Sequence, residues 1–586
     1  MALDGAALHT VVHELNEQLS GGRIDKIHQI SKEQIRINIR TKAGAKRLLL
    51  SASANDARIH ITNQSADNPP QPPMFCMMLR KRIGGGLIQE IKQYKLERIV
   101  EIIIDARDEL GKDTTYILRH EIMGRHSNII LCEEDIVVDS IKRIDEDKSR
   151  VRQILPKLQY EYPPEQDKLD PFMMDKNAFQ DILLENENMP AVNILNKNIV
   201  GLSITTAKYL GFDDVDMETS PNKMTGEKVS CAAQNIYDYY AAVRDHQLHY
   251  YLVKEPEHSS IKDFLILHRK PLIDTLLVEC DNASQLIDKY YIEIELQSQL
   301  KQLTNSLNQT LKTALKRTKK KLLKQQIILD DSTNADKYKL YGELLTAYQA
   351  QVPKGAEEAI LINYYSENAE KVKIPLNPEK SANVNAQIYY KKYQKLSRAS
   401  KMAEEQVIKT KEELDYLESM EIAVNNCGDI SAAKEIIDEF IEQGYIKKTV
   451  KKDTRKFTAS KPRHYLSSDG YHIYVGRNNS QNDYITMKFA KPDDIFMHTQ
   501  KIPGSHVIIR SNEGIVSKQA MNEGAILAAY FSKAQSSSNV PVDYTKRKNI
   551  KKPNGAKPGY VIYSTHSSIN VTPSKSRVDE IKELNE

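Results

Sequence analysis

Two stretches of heptad-spaced residues, separated by a proline- and glycine-marked interruption, constrain this chain more than any other feature. Leu296, Leu300, Leu303, Leu307, Thr310 and Ala314 step by four and three, and Leu396, Ser400, Ala403, Val407, Thr410, Leu414 and Leu417 do the same. An apolar seam of that period needs a second helix to cover it. Between the seams, Pro353, Gly355, Pro375 and Pro378 interrupt any helix. Two seams with a break between them predict an antiparallel hairpin with a small folded tip. The small and polar residues of the return seam favour this local pairing over a strong intermolecular zipper. Arms of some 50 residues, at 1.5 Å per residue, reach roughly 75 Å. Such an arm is a lever or a spacer.

The flanking regions read as folded domains. In the first ~170 residues, Leu8 to Leu19 has helical spacing and Gly21-Gly22 ends it. Ile35 to Arg40 alternates as a strand does, and so in part does the stretch from Ile99. Pro69, Pro70, Pro72 and Pro73 form a stiff loop ahead of a helix at MFCMMLRKRI. A second proline cluster, Pro156 to Pro164, marks a boundary, and residues 175–285 read as largely helical with a helix-turn-helix look around Gly201. Beyond Gly444 a Lys-rich linker leads to HIYVG, DYITMKF, HVIIR and GYVIYS, read as strands, with a helix from Ser517 to Lys533. The expected domains are 1–172, 173–283, 284–444 with a tip at 345–390, and 445–586.

Catalytic machinery is hard to find. There is no GxxxxGK[ST] phosphate loop and no GxSxG, and Gly84-Gly85-Gly86 reads as a turn. His9 and His13 lack the intervening Glu of a zinc protease helix. Asp493, Asp494, His498 and His506 could be imagined as ligands or a general base, but read as acids capping a strand-to-helix turn and histidines making structural hydrogen bonds. Five scattered cysteines (Cys76, Cys132, Cys231, Cys280, Cys427) exclude a disulfide framework and a CxxC metal site. The start carries Asp4, Glu14 and Glu17 and lacks a basic n-region, so it does not read as a secretory signal. No apolar run approaches the ~20 residues that span a bilayer. These readings lead us to expect no cofactor, no metal, no membrane partner and a protein of a reducing cytosol.

The net charge of +4 conceals segregation. Residues 301–324, 447–463 and 546–557 hold eight, eight and six Lys/Arg with one acid, Asp453. The first run includes Lys316, Arg317, Lys319 and Lys320. Three such runs, interleaved with tyrosine, fit a phosphate backbone. Tyr389, Tyr390 and Tyr393 beside Lys391, Lys392 and Lys395 either stack on bases and touch phosphates or pack the coiled-coil tip.

Long motifs in a fixed order carry a resemblance. They are MALDGAAL, GGRIDKIHQ, PPMFCMMLRKRIGGG, EIMGRHSNIIL and YEYPP in the first half. YGELLTAY and NAQIYYKKYQK follow, then SSDGYHIYVGRNNSQND, DDIFMHTQKIPGSHVII and KKPNGAKPGYVIY. With these the chain resembles, nearly end to end, the bacterial NFACT proteins of the RqcH family, once called fibronectin-binding proteins. The resemblance implies a multidomain α+β fold: a glycosylase-like N-terminal α/β domain, a helix-hairpin-helix domain, a long antiparallel coiled coil with a tip domain, and a C-terminal α/β NFACT-R domain.

It also implies a function in ribosome quality control. Family members bind a large ribosomal subunit obstructed by peptidyl-tRNA and recruit alanyl-tRNA. The ribosome then extends the stalled chain with alanine, without a template, and the tail marks it for degradation. The implied partners are rRNA of the large subunit, its stalk-base region, alanyl-tRNA, peptidyl-tRNA and a small RNA-binding partner, in the cytoplasm. The factor itself is implied to be no enzyme. The family's Asp-Arg pair for tRNA recognition falls at Glu97-Arg98, where Glu replaces Asp, with Glu121, Met123 and Arg125 as the neighbouring surface. Gly201 falls in the helix-hairpin-helix turn, where backbone N–H groups can hold a phosphate, and Ile204 stands where the family has Pro. Further RNA or ribosome contacts are expected at Lys316, Arg317, Lys319, Lys320, Lys391, Lys392, Lys395, Arg477, His498 and His506. Phe496 occupies an aromatic slot that holds Trp elsewhere in the family, and the chain has no Trp.

Two other functions fit the sequence less well. A glycosylase of related fold would need an N-terminal proline amine and a cysteine zinc finger, and this chain offers Ala2, Leu3 and no cysteine pair. A surface adhesin for fibronectin would need export, for which the sequence supplies no signal or anchor.

Overall fold

The computed structural model describes residues 3–584 except 65–68, 70, 108–110, 256–260, 272–275, 333–334 and 448–459. Pro70 and most of the 447–463 basic run lie outside the described residues. The chain divides into two compact units, Met1–Leu296 and Gln297–Glu586.

In the first unit, α1 (Gly5–Leu19) buries Leu8, Val11, Val12, Leu15 and Leu19 along one face. It stops where the Ser20 N–H returns to the Asn16 carbonyl and Gly21 adopts a φ of 74°, which a side chain rarely tolerates. A nine-stranded antiparallel sheet follows. Its first strands are β1 (Arg23–Ser31), β2 (Gln34–Thr41), β3 (Gly44–Ser51) and β4 (Arg58–Ile61), and α2 (Met74–Ile83) intervenes. The sheet resumes with β5 (Leu87–Gln93), β6 (Ile99–Arg107), β7 (Asp113–Glu121), β8 (Asn128–Glu133) and β9 (Ile136–Ser140). Two meanders meet at β1 and β5, giving the order β4-β3-β2-β1-β5-β6-β7-β8-β9. The alternation of β2 puts Ile35, Ile37 and Ile39 in the core.

Four helices come next: α3 (Lys176–Glu185), α4 (Ala191–Asn198), α5 (Ile204–Tyr209) and α6 (Gly226–Arg244). The region read as helical to residue 285 then turns to strands. β10 (His249–Lys254) pairs with both β11 (Ile261–Leu267) and β12 (Leu276–Cys280). Leu265, Ile266 and Leu267 are all buried, because the sheet's residues enter the apolar cluster that runs from Leu3 to Tyr291.

The second unit contains most of α7 (Ala283–Ser332), then α8 (Ala335–Ala347), the hairpin β13 (Glu358–Ile362) and β14 (Lys371–Pro375), α9 (Ala382–Asn425) and α10 (Ile430–Glu442). The 50 residues of α7 correspond to about 75 Å. Leu307, Leu311 and Leu315 of α7 pack with Tyr416, Leu417 and Met420 of α9. Lys319 lies 4.0 Å from Glu418 and Lys321 3.9 Å from Glu413, which fixes the pairing as antiparallel. The return seam stands as read, with Ala403, Val407, Thr410 and Leu417 buried. The outgoing seam drifts: Leu296 is exposed, and Leu311 and Leu315 rather than Thr310 and Ala314 are buried. A 3.6-residue helix rotates slowly against a strict heptad, so the seam shifts by one position. The tip has its own core of Tyr341, Leu344, Leu345, Leu361, Ile374 and Tyr389.

The C-terminal domain is a seven-stranded antiparallel sheet ordered β22-β19-β17-β18-β16-β15-β23. β15 (Arg463–Leu466) and β16 (His472–Val475) precede α11 (Asn479–Asp483) and a π-helical turn (Tyr484–Phe489). β17 (Ile495–Thr499), β18 (Val507–Ile509), α12 (Lys518–Tyr530) and β19 (Val540–Lys546) follow. A side hairpin of β20 (Ile550–Lys551) and β21 (Ile562–Tyr563) leads to β22 (Ser567–Val571), α13 (Lys575–Asp579) and β23 (Lys582–Glu583). The DYITMKF segment is therefore helical, not a strand. It continues directly from α11, whose start Asn478 caps through the Gln481 N–H, and the Arg547 guanidinium binds the carbonyls of Thr486 and Met487 within it. Within this unit, Asn478, Asn479, Ser480 and Gln481 hydrogen-bond to Glu435, Glu439 and Ser419 of the α9–α10 base. The dense GRNNSQND motif is thus an intramolecular latch.

Candidate nucleic-acid interface

The residues singled out in the first unit gather around the loop between β5 and β6. Glu97 and Arg98 sit there, both half-buried. The loop is tight: Lys95 has a φ of 51°, and the Glu97 N–H donates to the Tyr94 carbonyl at 3.0 Å. The Ile122 N–H donates to the Arg98 carbonyl at 2.8 Å, which brings the Met123–Arg125 turn alongside Arg98. Gly124 takes a φ of 58° in that turn, Met123 is half-exposed and Arg125 exposed.

Three elements fix the loop from behind. The Asp4 carboxylate accepts from Ala7 N–H at 3.0 Å, capping α1, and also from the Ser203 N–H at 2.9 Å and the Thr206 hydroxyl at 2.6 Å, which ties it to the start of α5, where Ser203 is the cap. The Ala6 N–H donates to the Gly201 carbonyl at 2.9 Å. Gly5, Gly201 and Leu96 meet so closely that a Cβ on Gly5 would lie 1.9 Å from the Leu96 oxygen and 2.7 Å from the Gly201 Cα. Gln93 donates to the carbonyls of Gly5 at 2.9 Å and Glu97 at 2.8 Å.

The 160–168 segment clamps the other side. Tyr162 stacks on Tyr94 at 3.9 Å, and Lys95 pairs with Glu165. Lys168 lies near Glu97 and Arg98. Burial holds its ammonium below the usual range, Glu97 draws it back up and Arg98 pushes it further down. Tyr160 donates to Glu121 at 2.8 Å and Tyr162 to Glu101 at 2.6 Å, while Arg119 lies 4.3 Å over the Tyr160 ring. YEYPP therefore anchors the loop end of the sheet. Lys168 and this clamp escaped the sequence reading. Their only signal was the proline cluster, read as a boundary.

Several expected contacts take other places. Glu121 is fully buried, paired with Arg152 and hydrogen-bonded by Tyr160, so it supports the Met123–Arg125 turn and does not face solvent. The Gly201 turn does not present open phosphate donors at Ser203 and Thr206, whose N–H groups bind Asp4 and the Ser203 hydroxyl. Its φ of 78° instead serves the close packing on Leu96. His506 is 2% exposed, with ring nitrogens beside the Thr486 hydroxyl at 2.8 Å and the Gly559 carbonyl at 3.1 Å, so it cannot meet RNA. His498 is half-buried. Burial holds it below the usual range, against hydrogen bonds to the backbone of Gly504 and Thr499. Asp494 is buried and binds Arg510, Ser511 N–H and Lys491 N–H in a turn leading into β17, not into a helix.

Arg477 pairs with Asp429 at 2.8 Å, so it ties the C-terminal domain to the start of α10. In the 546–557 run, Lys546 and Lys548 pair with Asp493, and Lys552 pairs with Asp483. Lys557 donates to the Tyr445 hydroxyl at 3.0 Å. With Arg547 on the π-turn, this run is largely a structural clasp. Lys316, Arg317, Lys319 and Lys320 are exposed on α7, and Thr318 of the same stretch turns into the seam. Lys391, Lys392 and Lys395 are exposed on α9. Tyr389 and Tyr390 beside them pack the tip. Tyr389 is buried, donates to the Pro375 carbonyl at 2.5 Å and carries Lys392 over its ring at 5.3 Å. Tyr390 lies against Gly342, whose missing side chain makes the room.

Comparisons with known proteins identify the family. Residues 4–458 match the family described as NFACT N-terminal and middle domains, and residues 461–564 match the NFACT protein RNA binding domain. The Rqc2 homolog RqcH of Bacillus subtilis is 38% identical over 590 residues, covering 99% of this chain and 100% of the relative. Its Streptococcus pneumoniae counterpart is 34% identical over 586 residues, with 99% and 100% covered. Among solved structures, the C-terminal part of a Streptococcus suis fibronectin/fibrinogen-binding protein is 34% identical, covers 48% of this chain and 99% of its own, and has a TM-score of 0.39. Matched from end to end in sequence and in domain order, the chain belongs to the NFACT family, in the branch of the bacterial RqcH proteins.

Proposed function

We propose that this protein is a ribosome quality control factor. It binds large ribosomal subunits still carrying peptidyl-tRNA and recruits alanyl-tRNA, from which the ribosome adds a template-free alanine tail to the stalled chain. The observation that carries the reading is full-length membership of the RqcH branch, joined to a half-buried Glu97–Arg98 loop beside the Met123–Arg125 turn on a firmly braced sheet end. A carboxylate beside a guanidinium suits an RNA loop: the acid accepts from base amino groups, and the arginine forks onto base edges or phosphate. Glu97 reaches one methylene further than the family's Asp.

In this reading the protein has no catalytic residue. An aminoacyl ester is already activated, and the ribosome supplies peptidyl transfer, so binding, positioning and release suffice. The exposed lysines of α7 and α9 supply phosphate contacts along the arm, and the factor works in the cytoplasm on the ribosome. No helix among the described residues is long and apolar enough to cross a membrane.

Affinity purification of the tagged full chain, followed by sequencing of the bound RNA, tests the proposal. Large-subunit rRNA with an enrichment of alanine tRNA, released as salt is raised, is expected. Recovery of the protein without RNA would refute it.

A further inference from the structure

The C-terminal sheet has two faces. Tyr465, Ile473, Val475, Met497, Val507 and Ile509 point into the core with α12. Strand alternation sends His464, His472, Tyr474, Ile508 and Arg510 to the opposite face. The π-turn and the β20–β21 hairpin cover part of that face, where Ile485, Phe496, Ile508 and Ile550 form a second small core with Tyr474 and Phe489 packed against its edge.

From the open part of this face to the π-turn, five aromatic rings run in a row whose middle members, His464, Tyr474 and Phe489, are half-buried. His472 and His464 have ring centroids 5.0 Å apart and meet through a hydrogen bond between Nδ1 of His472 and Nε2 of His464 at 2.8 Å, and His464 stacks on Tyr474 at 4.4 Å with an interplanar angle of 8°. Tyr474 meets Phe489 at 4.7 Å, and Phe489 meets Tyr484 at 6.2 Å. His472 is exposed at one end of the row, and Tyr484 is 48% exposed at the other. Arg510 lies 4.0 Å over Phe489. It is held flat by Asp494 at 2.6 Å and by the Phe489 carbonyl at 3.1 Å. Lys488 and Lys491 are exposed beside the Tyr484 end. Lys582 of β23 pairs with Leu466, so it stands on the same face at the His472 end.

A π-turn is a rare and less favourable geometry that persists where something is gained. Here it places Tyr484 and Phe489 in line with Tyr474, and Arg547 secures carbonyls within it. A row of rings with exposed ends, an arginine stacked within it and lysines at both flanks matches what unpaired bases on a phosphate backbone require.

We propose that the His472–His464–Tyr474–Phe489–Tyr484 ridge is a single-stranded RNA site, with bases stacking at the exposed rings and Lys488, Lys491 and Lys582 meeting phosphates. The proposal deepens the RNA-handling reading above and rests on it. A duplex, whose bases are already stacked on one another, does not fit the ridge.

The absence of tryptophan makes a direct test possible. Tyr484→Trp in the full chain places the protein's single indole at one end of the ridge. Titration with a short unstructured single-stranded RNA should quench its fluorescence. The same RNA in duplex form, or heparin as a base-free polyanion, should not. Quenching by heparin to the same extent, or no quenching by the RNA, overturns the proposal. His472→Ala and Tyr484→Ala should each weaken binding of that RNA about fivefold or more by anisotropy, and unchanged affinity in both overturns it. Wild-type protein that sediments with large subunits while the indole variant shows no quenching removes the ridge alone. Quenching without sedimentation supports the ridge and removes the ribosome reading.

Discussion

The Asp4 carboxylate accepts a hydrogen bond from the Thr206 hydroxyl at 2.6 Å, across 202 positions of sequence. The same side chain caps α1 through the Ala7 N–H. One buried acid therefore holds two helix starts together, and the Glu97–Arg98 loop rests on that junction through Leu96.

Asp4→Ala removes a helix cap and two charge-assisted bonds at a buried position. It should destabilise the first unit by about 2–4 kcal/mol. Asp4→Asn, which can still cap, should lose less. Urea unfolding followed by far-UV circular dichroism reads the difference, and equal midpoints for wild type and Ala would contradict the assignment.

Two glycines of the first unit should respond to a methyl group in opposite ways. Gly5→Ala drives a methyl into the Leu96 carbonyl and should cost about 1–3 kcal/mol. Nothing lies within 4 Å of a Cβ at Gly226, at the start of α6. Gly226→Ala should stabilise by about 0.4–1 kcal/mol through the unfolded chain. Thermal melts of the two variants should move in opposite directions.

Glu97→Ala and Arg98→Ala together should abolish alanine-tail synthesis, while sedimentation with large subunits persists. Glu97→Asp should keep it. Equal loss of subunit binding would assign the pair to the fold instead of to tRNA.

Burial pushes the His506 imidazole down to about 3 from an ordinary value of 6.5, with His498 adding to the depression and hydrogen bonds to Asn482 and Gly559 opposing it. The neutral ring is the folded form. The unfolded chain binds the extra proton between these two values, so the stability contribution is complete above pH 6.5 and is lost as pH falls toward 3. The slope in that window is about 1.4 kcal/mol per pH unit for one proton. Denaturant midpoints measured across this window should lose that slope in His506→Gln, even if the variant is less stable throughout.

The strand pattern of β2 and the return seam at Ala403, Val407, Thr410 and Leu417 were legible because each is a local period imposed by one buried face. DYITMKF misled for the same reason. Ile485, Met487 and Phe489 alternate like a strand, but a cap at Asn478 and a guanidinium 61 residues away at Arg547 settle the segment as a helical turn. The Lys-rich 546–557 run read as a phosphate surface, because its partners Asp483, Asp493 and Tyr445 are distant in the chain. Tyr389 and Tyr390 could stack on bases or pack the tip until Pro375 and Gly342 were placed against them.

By itself, then, the sequence determined elements such as α1, β2 and the return seam, where one buried face imposes a period, the hairpin of the long arm, and membership of a family through its ordered motifs. Local periodicity and backbone chemistry act over a few residues, so they can be read in order. Only the tertiary structure decided which charged and aromatic side chains are spent inside the protein and which remain outside it. Glu121, His506 and Arg477 went inward, while Arg125, Lys316 and the end rings His472 and Tyr484 stayed exposed. That choice depends on partners tens to hundreds of residues apart, each buried charge needing its counter-group, and no short window of sequence contains both members of the pair.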